Sequence, residues 1–525
     1  MEFLEKIFPR EYQENILKTC VDKNCLVVLP TGIGKTLIAL MLSIERMKKF
    51  PGEKIVFLAP TKPLAEQHLI YFKKHLPELF GDLQLFTGLV KSEKRREIWE
   101  TADIIFSTPQ CIANDLKKIL YTLTGVCLLI EDEAHRCIKN YDYSYVAKKY
   151  LEQALHPRIL GLTASPGSEI SKIQEICKNL SIEEVELRTR ESLDVQPYLQ
   201  KLEFVKIILD LPPEFRRMRE ILLRIFGSYI GELRNRKVLF GPPSKTELIK
   251  LQKKLIFSIA RGNKNYNNFL ASSACAQAIR IQHALELLET QTLAGFNKYL
   301  RGLLQKASKK ESRGIERLTK KPEFNFALVS SNKLLLEGIE HPKILELERI
   351  IRKEREKNEK IRIIIFTQFR DTAKLISKKM NGISGINAAI FVGQGKKSGS
   401  EDVQGLSQKE QRKILNDFSV GTTNILCATS IGEEGLDIPE VNLVVFYEPV
   451  PSAIRAIQRA GRTARLIEGK LIVLITKNTR DEAYFYVSKA KEKRMHSSIN
   501  SIKRDFFNKS KKEVQKKLEE NEKDI

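Results

Sequence analysis

The chain has 525 residues, too many for one hydrophobic core, and at roughly 100 to 200 residues per domain it should hold about three. Its 89 Lys and Arg against 65 Asp and Glu leave a formal charge of +24, which favours a polyanionic partner because each phosphate neutralised releases condensed counterions. No stretch approaches the roughly 20 apolar residues of a membrane helix, the first residues lack a basic-then-apolar leader, and the 8 cysteines form no C-x-x-C pair, so membrane spans, secretion, structural zinc and disulfides are expected to be absent.

Residues 1–205 alternate short apolar strands (26–29, 55–59, 104–107, 128–130, 159–163) with helix-period segments, the pattern of a doubly wound parallel α/β domain. Arg10-Glu11-Tyr12-Gln13 comes first, where Arg10 and Gln13 can meet a nucleotide, the Gln13 amide reading adenine. The first strand then runs into Leu29-Pro30-Thr31-Gly32-Ile33-Gly34-Lys35-Thr36 and a helix. Such a loop cradles phosphates with backbone N–H groups, Lys35 reaches the outer phosphates and the Thr36 hydroxyl holds Mg²⁺. Leu29 departs from the strict pattern, which asks for Gly. The strand ending near Ile130 and Glu131 delivers Asp132-Glu133-Ala134-His135, a metal carboxylate followed by a base.

From 206 to 343 the pattern turns helical. Phe215, Met218, Leu222 and Ile225 form one apolar stripe, and Ala274, Ala278, Ile281, Leu285 and Leu288 another, so an inserted all-helical domain is expected there. Lysines 309, 310, 320 and 321 are its candidates for phosphate contact, although such charge runs are more often solvated faces. Residues 344–488 return to α/β, with strands at 363–366, 425–428, 443–446 and 471–475. Within this domain 393–405 reads as a Gly-, Ser- and Lys-rich loop, and Ser407 with Glu410 as a capping box opening a helix that buries Ile414, Leu415 and Phe418. Residues 489–525 read as a mixed basic and acidic tail to which no chemistry is assigned.

Phosphoryl transfer requires phosphate positioning, a metal, a water activator and positive charge that meets the transition state. Lys35, Thr36, Asp132 and Glu133 supply the first three. The fourth lies far along the chain, in Gln458-Arg459-Ala460-Gly461-Arg462-Thr463-Ala464-Arg465, where planar guanidinium groups suit bidentate phosphate pairing. A finger of this kind contributes on the order of 10³ to 10⁵ in rate, far beyond the roughly 0 to 1 kcal/mol of a surface ion pair.

In this order the motifs resemble those of superfamily 2 helicases, specifically the archaeal Hef and Fanconi-type FANCM branch. Besides the segments above, the resemblance rests on 59–64, 107–110, 162–166, 365–370, 391–394, 405–411, 428–439 and 445–451, and it spans nearly everything from Phe8 to about Tyr486. It implies two RecA-like parallel-sheet domains with a thumb-like helical insert, and ATP and Mg²⁺ as cofactors. By residue, it implies that Gln13 contacts adenine, Lys35 and Thr36 the phosphates, Asp132 the metal and Glu133 the attacking water. His135, Thr163 and Ser165 would couple hydrolysis to motion, Gly435 and Asp437 would approach the ribose, and Gln458, Arg462 and Arg465 would close on the γ-phosphate. Thr61, Lys62, Thr108, Gln110, Thr367, Gln368 and Thr429 would grip a DNA backbone.

Ala464 replaces a glycine usual in the last motif, and the family's C-terminal nuclease signature is not found. The expected activity is therefore ATP-dependent unwinding or branch migration of forked and junction DNA, with 3′ to 5′ polarity, in a cytoplasmic, nucleoid-associated protein of archaeal type. A separate structure-specific nuclease or a sliding clamp is the expected protein partner. The alternatives are a double-stranded-RNA-stimulated ATPase of the innate-sensor or Dicer type, and a non-unwinding platform that recruits a nuclease.

Overall fold

The computed structural model describes residues 7–77, 80–263, 265–393, 405–430, 438–461, 463 and 468–521, the side chains of 453 and 507–521 excepted. Two parallel sheets and a helical bundle organise them. The first sheet joins β1 (Cys25–Val28), β2 (Lys54–Leu58), β3 (Leu83–Phe86), β4 (Ile104–Ser107), β5 (Val126–Asp132), β6 (Ile159–Thr163) and β7 (Glu184–Leu187) in the order β3-β4-β2-β5-β6-β1-β7. Its strands are near-continuous apolar runs because helices cover both faces. Alternate residues divide between two cores: Leu26, Val28, Val56 and Leu129 pack on one side, and Val27, Ile55, Phe57 and Ile130 on the other.

The second sheet joins β8 (Leu202–Leu209), β9 (Ile363–Phe366), β10 (Ala388–Phe391), β11 (Ile425–Ala428), β12 (Leu443–Phe446) and β13 (Gly469–Thr476) in the order β10-β11-β9-β12-β13-β8. β8 changes the expected organisation. The expected boundary at 205/206 falls inside this strand, all eight of whose residues pair with β13, so the chain enters the second sheet before the helical bundle begins. The strand escaped the sequence reading because its burial alternates, the edge position leaving Phe204 and Ile208 about half exposed.

Between β8 and β9 stand the bundle helices Pro213–Asn235, Lys245–Ala260, Tyr266–Thr290, Leu293–Ser308, Arg313–Thr319 and Pro322–Leu336. Both expected apolar stripes lie in their common core. The next helix, Pro342–Lys357, packs Ile344, Leu347 and Ile351 against the second sheet. The capping box forms as expected, Ser407 Oγ accepting from Glu410 N while the Glu410 carboxylate accepts from Ser407 N, and Phe418 is buried with Ile414 and Leu415 against its cluster. The 393–405 loop lies outside the described residues over 394–404.

The expected tail is not a separate segment but the continuation of one helix, Arg480–Asn521. It starts on the second lobe, where Asp481 accepts from Thr476 N, and crosses to the first, where Met495, Ile499 and Ile502 join the core beneath β7. At roughly 1.5 to 3 kcal/mol per buried side chain, these three are enough to fasten the helix across the lobes. No helix among the described residues is long and apolar enough to cross a membrane.

Candidate nucleotide and nucleic-acid site

β1 ends at Val28, and the loop that follows turns through Gly32 (φ 84°) and Gly34 (φ 86°) before the helix Lys35–Lys49. Leu29 is fully buried in the first lobe's core, and its N–H donates to Thr163 O. The side chain at the loop's first position thus anchors the loop to the sheet. Lys35 Nζ donates to Leu29 O at 3.0 Å, a bond an incoming phosphate would replace. Below the loop, Tyr12 OH donates to Ile33 O at 2.6 Å.

Gln13 is buried and tied at both ends, its Oε1 accepting from Arg10 N at 2.9 Å and its Nε2 donating to Ile33 O at 3.3 Å. In this conformation it braces the phosphate loop instead of presenting a free amide to adenine. The Arg10 guanidinium lies 5.1 Å from the centre of the Tyr198 ring.

Asp132 is the last residue of β5, and Glu133 follows with φ 54°, a left-handed conformation that costs a non-glycine residue of order 1 to 3 kcal/mol and tends to mark functional sites. Burial raises the Asp132 carboxyl's pKa, yet its bond to His68 (Nε2 to Oδ2, 2.9 Å), the His68 charge and the Lys35 charge together hold it below the ordinary value. It is therefore an ionised carboxylate beside Lys35, the form in which a carboxylate can hold a divalent cation. Tyr143 OH donates to Asp132 O at 2.7 Å and fixes the strand end.

His135 Nδ1 stands 3.2 Å from both Glu133 Oε2 and Thr163 Oγ1, and Thr163 Oγ1 accepts from Ser165 N at 3.1 Å. These three connect Glu133 to β6. Ser165 Oγ in turn donates to Met495 Sδ at 2.8 Å, so the C-terminal helix touches the expected coupling residues directly.

The helix Ala453–Ala460 approaches from the second lobe. It ends at Gly461, where a Cβ would stand only 2.8 Å from Thr31 Cβ and overlap Thr31 Oγ1. Gln458 is 1% exposed, and among the described residues its amide has no hydrogen-bond partner. Arg462, Arg465, Gly435 and Asp437 lie outside the described residues. Beside the Thr31 contact, a cavity of about 340 Å³ opens among Pro30, Leu187, Phe446, Ile457, Phe485 and Met495. Lys35, Asp132 and Glu133 do not line it, so it belongs to the joint between lobes and not to the triphosphate seat. The lobes also meet where Arg412 pairs with Glu66 at 2.5 Å.

Of the expected nucleic-acid residues, Thr61 is exposed and Lys62, Thr108 and Gln110 are half-buried, at or just after the N-caps of the helices following β2 and β4. Gln110 Nε2 donates to Tyr141 OH. One threonine departs from expectation: Thr367 is fully buried with its hydroxyl turned inward onto Glu448 Oε2 at 3.1 Å, so it is not presented to a backbone phosphate here. Thr429, immediately after β11, is 7% exposed. Gln368, beside Thr367, is exposed. Sequence reasoning also missed His68, Tyr143 and Met495, which reach the site from other elements and carry no local signal, and Glu131. The last did carry one, an acid inside an apolar strand. Burial raises the Glu131 carboxyl well above its ordinary value, with Cys137 the side chain pulling against that shift.

Three family models cover most of the chain: DEAD/DEAH box helicase at residues 10–173, "Putative ATP-dependent RNA helicase, helical bundle" at 214–335, and Helicase conserved C-terminal domain at 342–467. The crystal structure of the Pyrococcus furiosus Hef helicase domain matches with a TM-score of 0.71 and 40% identity, covering 91% of this chain and 98% of that one. A Methanocaldococcus jannaschii protein whose name carries the same RNA-helicase description is 38% identical over 495 residues, 94% of this chain and 61% of that protein. The Drosophila melanogaster DEAD-box ATP-dependent DNA helicase Fancm is 30% identical over 519 residues, 94% of this chain and 35% of that protein. The chain thus spans about three fifths of one curated relative and about a third of the other.

Proposed function

Because the chain belongs to the ATP-dependent superfamily 2 helicases of the Hef and FANCM type, we propose that it is a DNA translocase that unwinds and branch-migrates forked and junction DNA with 3′ to 5′ polarity. Lys35 and Thr36 receive the outer phosphates, Asp132 with Thr36 holds Mg²⁺, and Glu133 takes the proton of the attacking water. Mg²⁺ when bound neutralises charge on the phosphate oxygens. Gln458, Arg462 and Arg465 meet the γ-phosphate from the other side, and His135, Thr163 and Ser165 pass its loss to the sheet edge. Gly435 and Asp437 complete the nucleotide site at the ribose.

The observation that carries this reading is the meeting of Gly461 with Thr31, which brings the finger helix of one lobe onto the phosphate loop of the other. Lobe closure is then tied to the nucleotide's state. Thr61, Lys62, Thr108, Gln110 and Gln368 line the nucleic-acid path, holding the backbone without reading sequence. Opening duplex costs about 1.4 kcal/mol per step, whereas exchanging paired strands at a junction is nearly balanced, so ATP chiefly supplies direction during branch migration. A structure-specific nuclease or a sliding clamp is the protein partner that fits this activity.

The test is strand displacement on fork, four-way and linear duplex DNA, with and without ATP. Lys35→Ala and Glu133→Gln should bind DNA yet lose both stimulated ATPase and unwinding; unwinding by either variant refutes the assignment. A duplex-RNA-stimulated ATPase is the second reading, favoured by the RNA-helicase names of the bundle model and of the Methanocaldococcus relative. The 2′-hydroxyl discriminates the two, so ATPase stimulation by duplex RNA exceeding that by forked DNA would replace the first reading with the second.

A further inference from the structure

Where the second lobe meets the bundle, a buried polar junction surrounds Glu448, the second residue after β12, which is 3% exposed. Its Oε1 accepts from Gln368 N and its Oε2 from Thr367 Oγ1. Gln291, at the end of the bundle helix Tyr266–Thr290, uses Oε1 to accept from Thr372 Oγ1 at 2.8 Å, and the same oxygen lies 3.4 Å from Thr367 Oγ1, whose single proton the nearer Glu448 oxygen takes. The Gln291 backbone O accepts from Tyr447 OH. Lys343 Nζ donates to Thr290 O at 3.2 Å and pairs with Asp481, both side chains being fully buried.

From the finger helix, Arg459 enters the same region. It is fully buried, its guanidinium 5.0 Å from the centre of the Phe366 ring and 5.6 Å from that of Phe446. Phe366 immediately precedes Thr367, and Phe446 lies two residues before Glu448. Arg459 therefore lies between the strand ends that carry the Thr367–Gln368 turn and Glu448. Two residues further on, its helix meets the phosphate loop at Gly461.

We propose that Glu448 is a positioning residue that joins the nucleotide-facing helix, through Arg459, to the nucleic-acid-facing turn at Thr367–Gln368, so that a tilt of that helix on nucleotide binding or release is passed to the turn and to the bundle. The proposal rests on the nucleic-acid reading above and assigns Thr367 to this linkage instead of to the strand itself. The chemistry suits a relay. A carboxylate is the one side chain that can accept from a backbone N–H, accept from a hydroxyl and attract a guanidinium at once. Burial pushes the Glu448 carboxyl up to about 7, against the pull of Arg459 from the finger helix, Lys343 from the helix Pro342–Lys357 and the Gln368 N–H; Asp481, from the C-terminal helix, adds to the rise. The rise moves the relay's titration from the ordinary carboxylate range toward neutrality.

The experiment compares the full chain with Glu448→Gln and Glu448→Asp in ATPase assays with and without forked DNA, from pH 6 to 8. Glu448→Gln keeps polar atoms in place but loses the charge. Its stimulated rate should fall about ten-fold more than its unstimulated rate. The rise of the stimulated rate with pH, present in the parent, should disappear, and Glu448→Asp should restore part of both. If Glu448→Gln does not fold, Arg459→Lys, which loses the planar stacking, should show the same selective loss of stimulation. Equal loss of both rates, or a pH profile unchanged in Glu448→Gln, overturns the proposal and leaves a structural role only. A parent that no nucleic acid stimulates overturns the underlying reading and the proposal with it, and is recognised before any variant is compared.

Discussion

Gly461→Ala tests the inter-lobe contact with one methyl group. Gly461 has φ −70° and ψ 10°, a conformation alanine adopts freely, so the substitution strains neither its own backbone nor the end of its helix. What the new Cβ meets is the other lobe: it overlaps Thr31 Oγ1 and stands 2.8 Å from Thr31 Cβ, where carbons prefer about 3.5 to 4.0 Å. The lobes must part by about 1 Å or more at the point where this helix meets the loop before Lys35. Overpacking of this kind costs typically 1 to 3 kcal/mol, which in a closing equilibrium is a factor of about 5 to 150. ATPase turnover should fall by that factor while the thermal midpoint stays near the parent's, because no core is disturbed. Thr31→Gly in the same chain removes both colliding atoms and should recover most of the loss. Full turnover in Gly461→Ala, or no recovery in the pair, would refute the account of closure.

Three further substitutions address other parts of the molecule. Met495→Ala should loosen the C-terminal helix from Ser165 and the first lobe, costing about 2 to 4 kcal/mol of docking, read as faster hydrogen exchange over 495–506 with the second lobe's sheet unaffected. Arg95→Ala should destabilise the first lobe by about 3 to 5 kcal/mol, because among the described residues it leaves the fully buried Asp115 carboxylate with the Tyr121 hydroxyl alone, a loss visible in chemical denaturation. Glu131 has a folded-state pKa raised by burial, so the native chain holds its proton more tightly than the unfolded one, and its contribution to stability is lost as pH rises from about 4.5 upward. Glu131→Gln should therefore flatten the decline of the thermal midpoint between pH 5 and 8; an unchanged slope would place the titration elsewhere.

Much was legible where chemistry and period coincide locally. The strand, glycine loop and helix around Lys35 follow from three adjacent signals in a dozen residues, and the acidic pair at Asp132 and Glu133 sits where a parallel strand ends. The bundle stripes were readable because each is a single helix burying one face. Thr367 departs from its expected place for the opposite reason. A threonine at a strand's C-terminal end can turn its hydroxyl outward to a ligand or inward to the core, and for Thr367 the choice was made by Glu448 and Gln291, 81 and 76 residues away.

Local pattern was sufficient for two parallel α/β layers, a helical bundle and the glycine loop before Lys35, because strand period, loop glycines and helix stripes act over a few residues and need no partner. Tertiary structure alone decided that β8 belongs to the second sheet, that the C-terminal helix straps the lobes together, and that Gly461 rests on Thr31. Each of these is a contact between segments far apart in the chain. Its free energy comes from shape and burial across an interface, which no local pattern encodes.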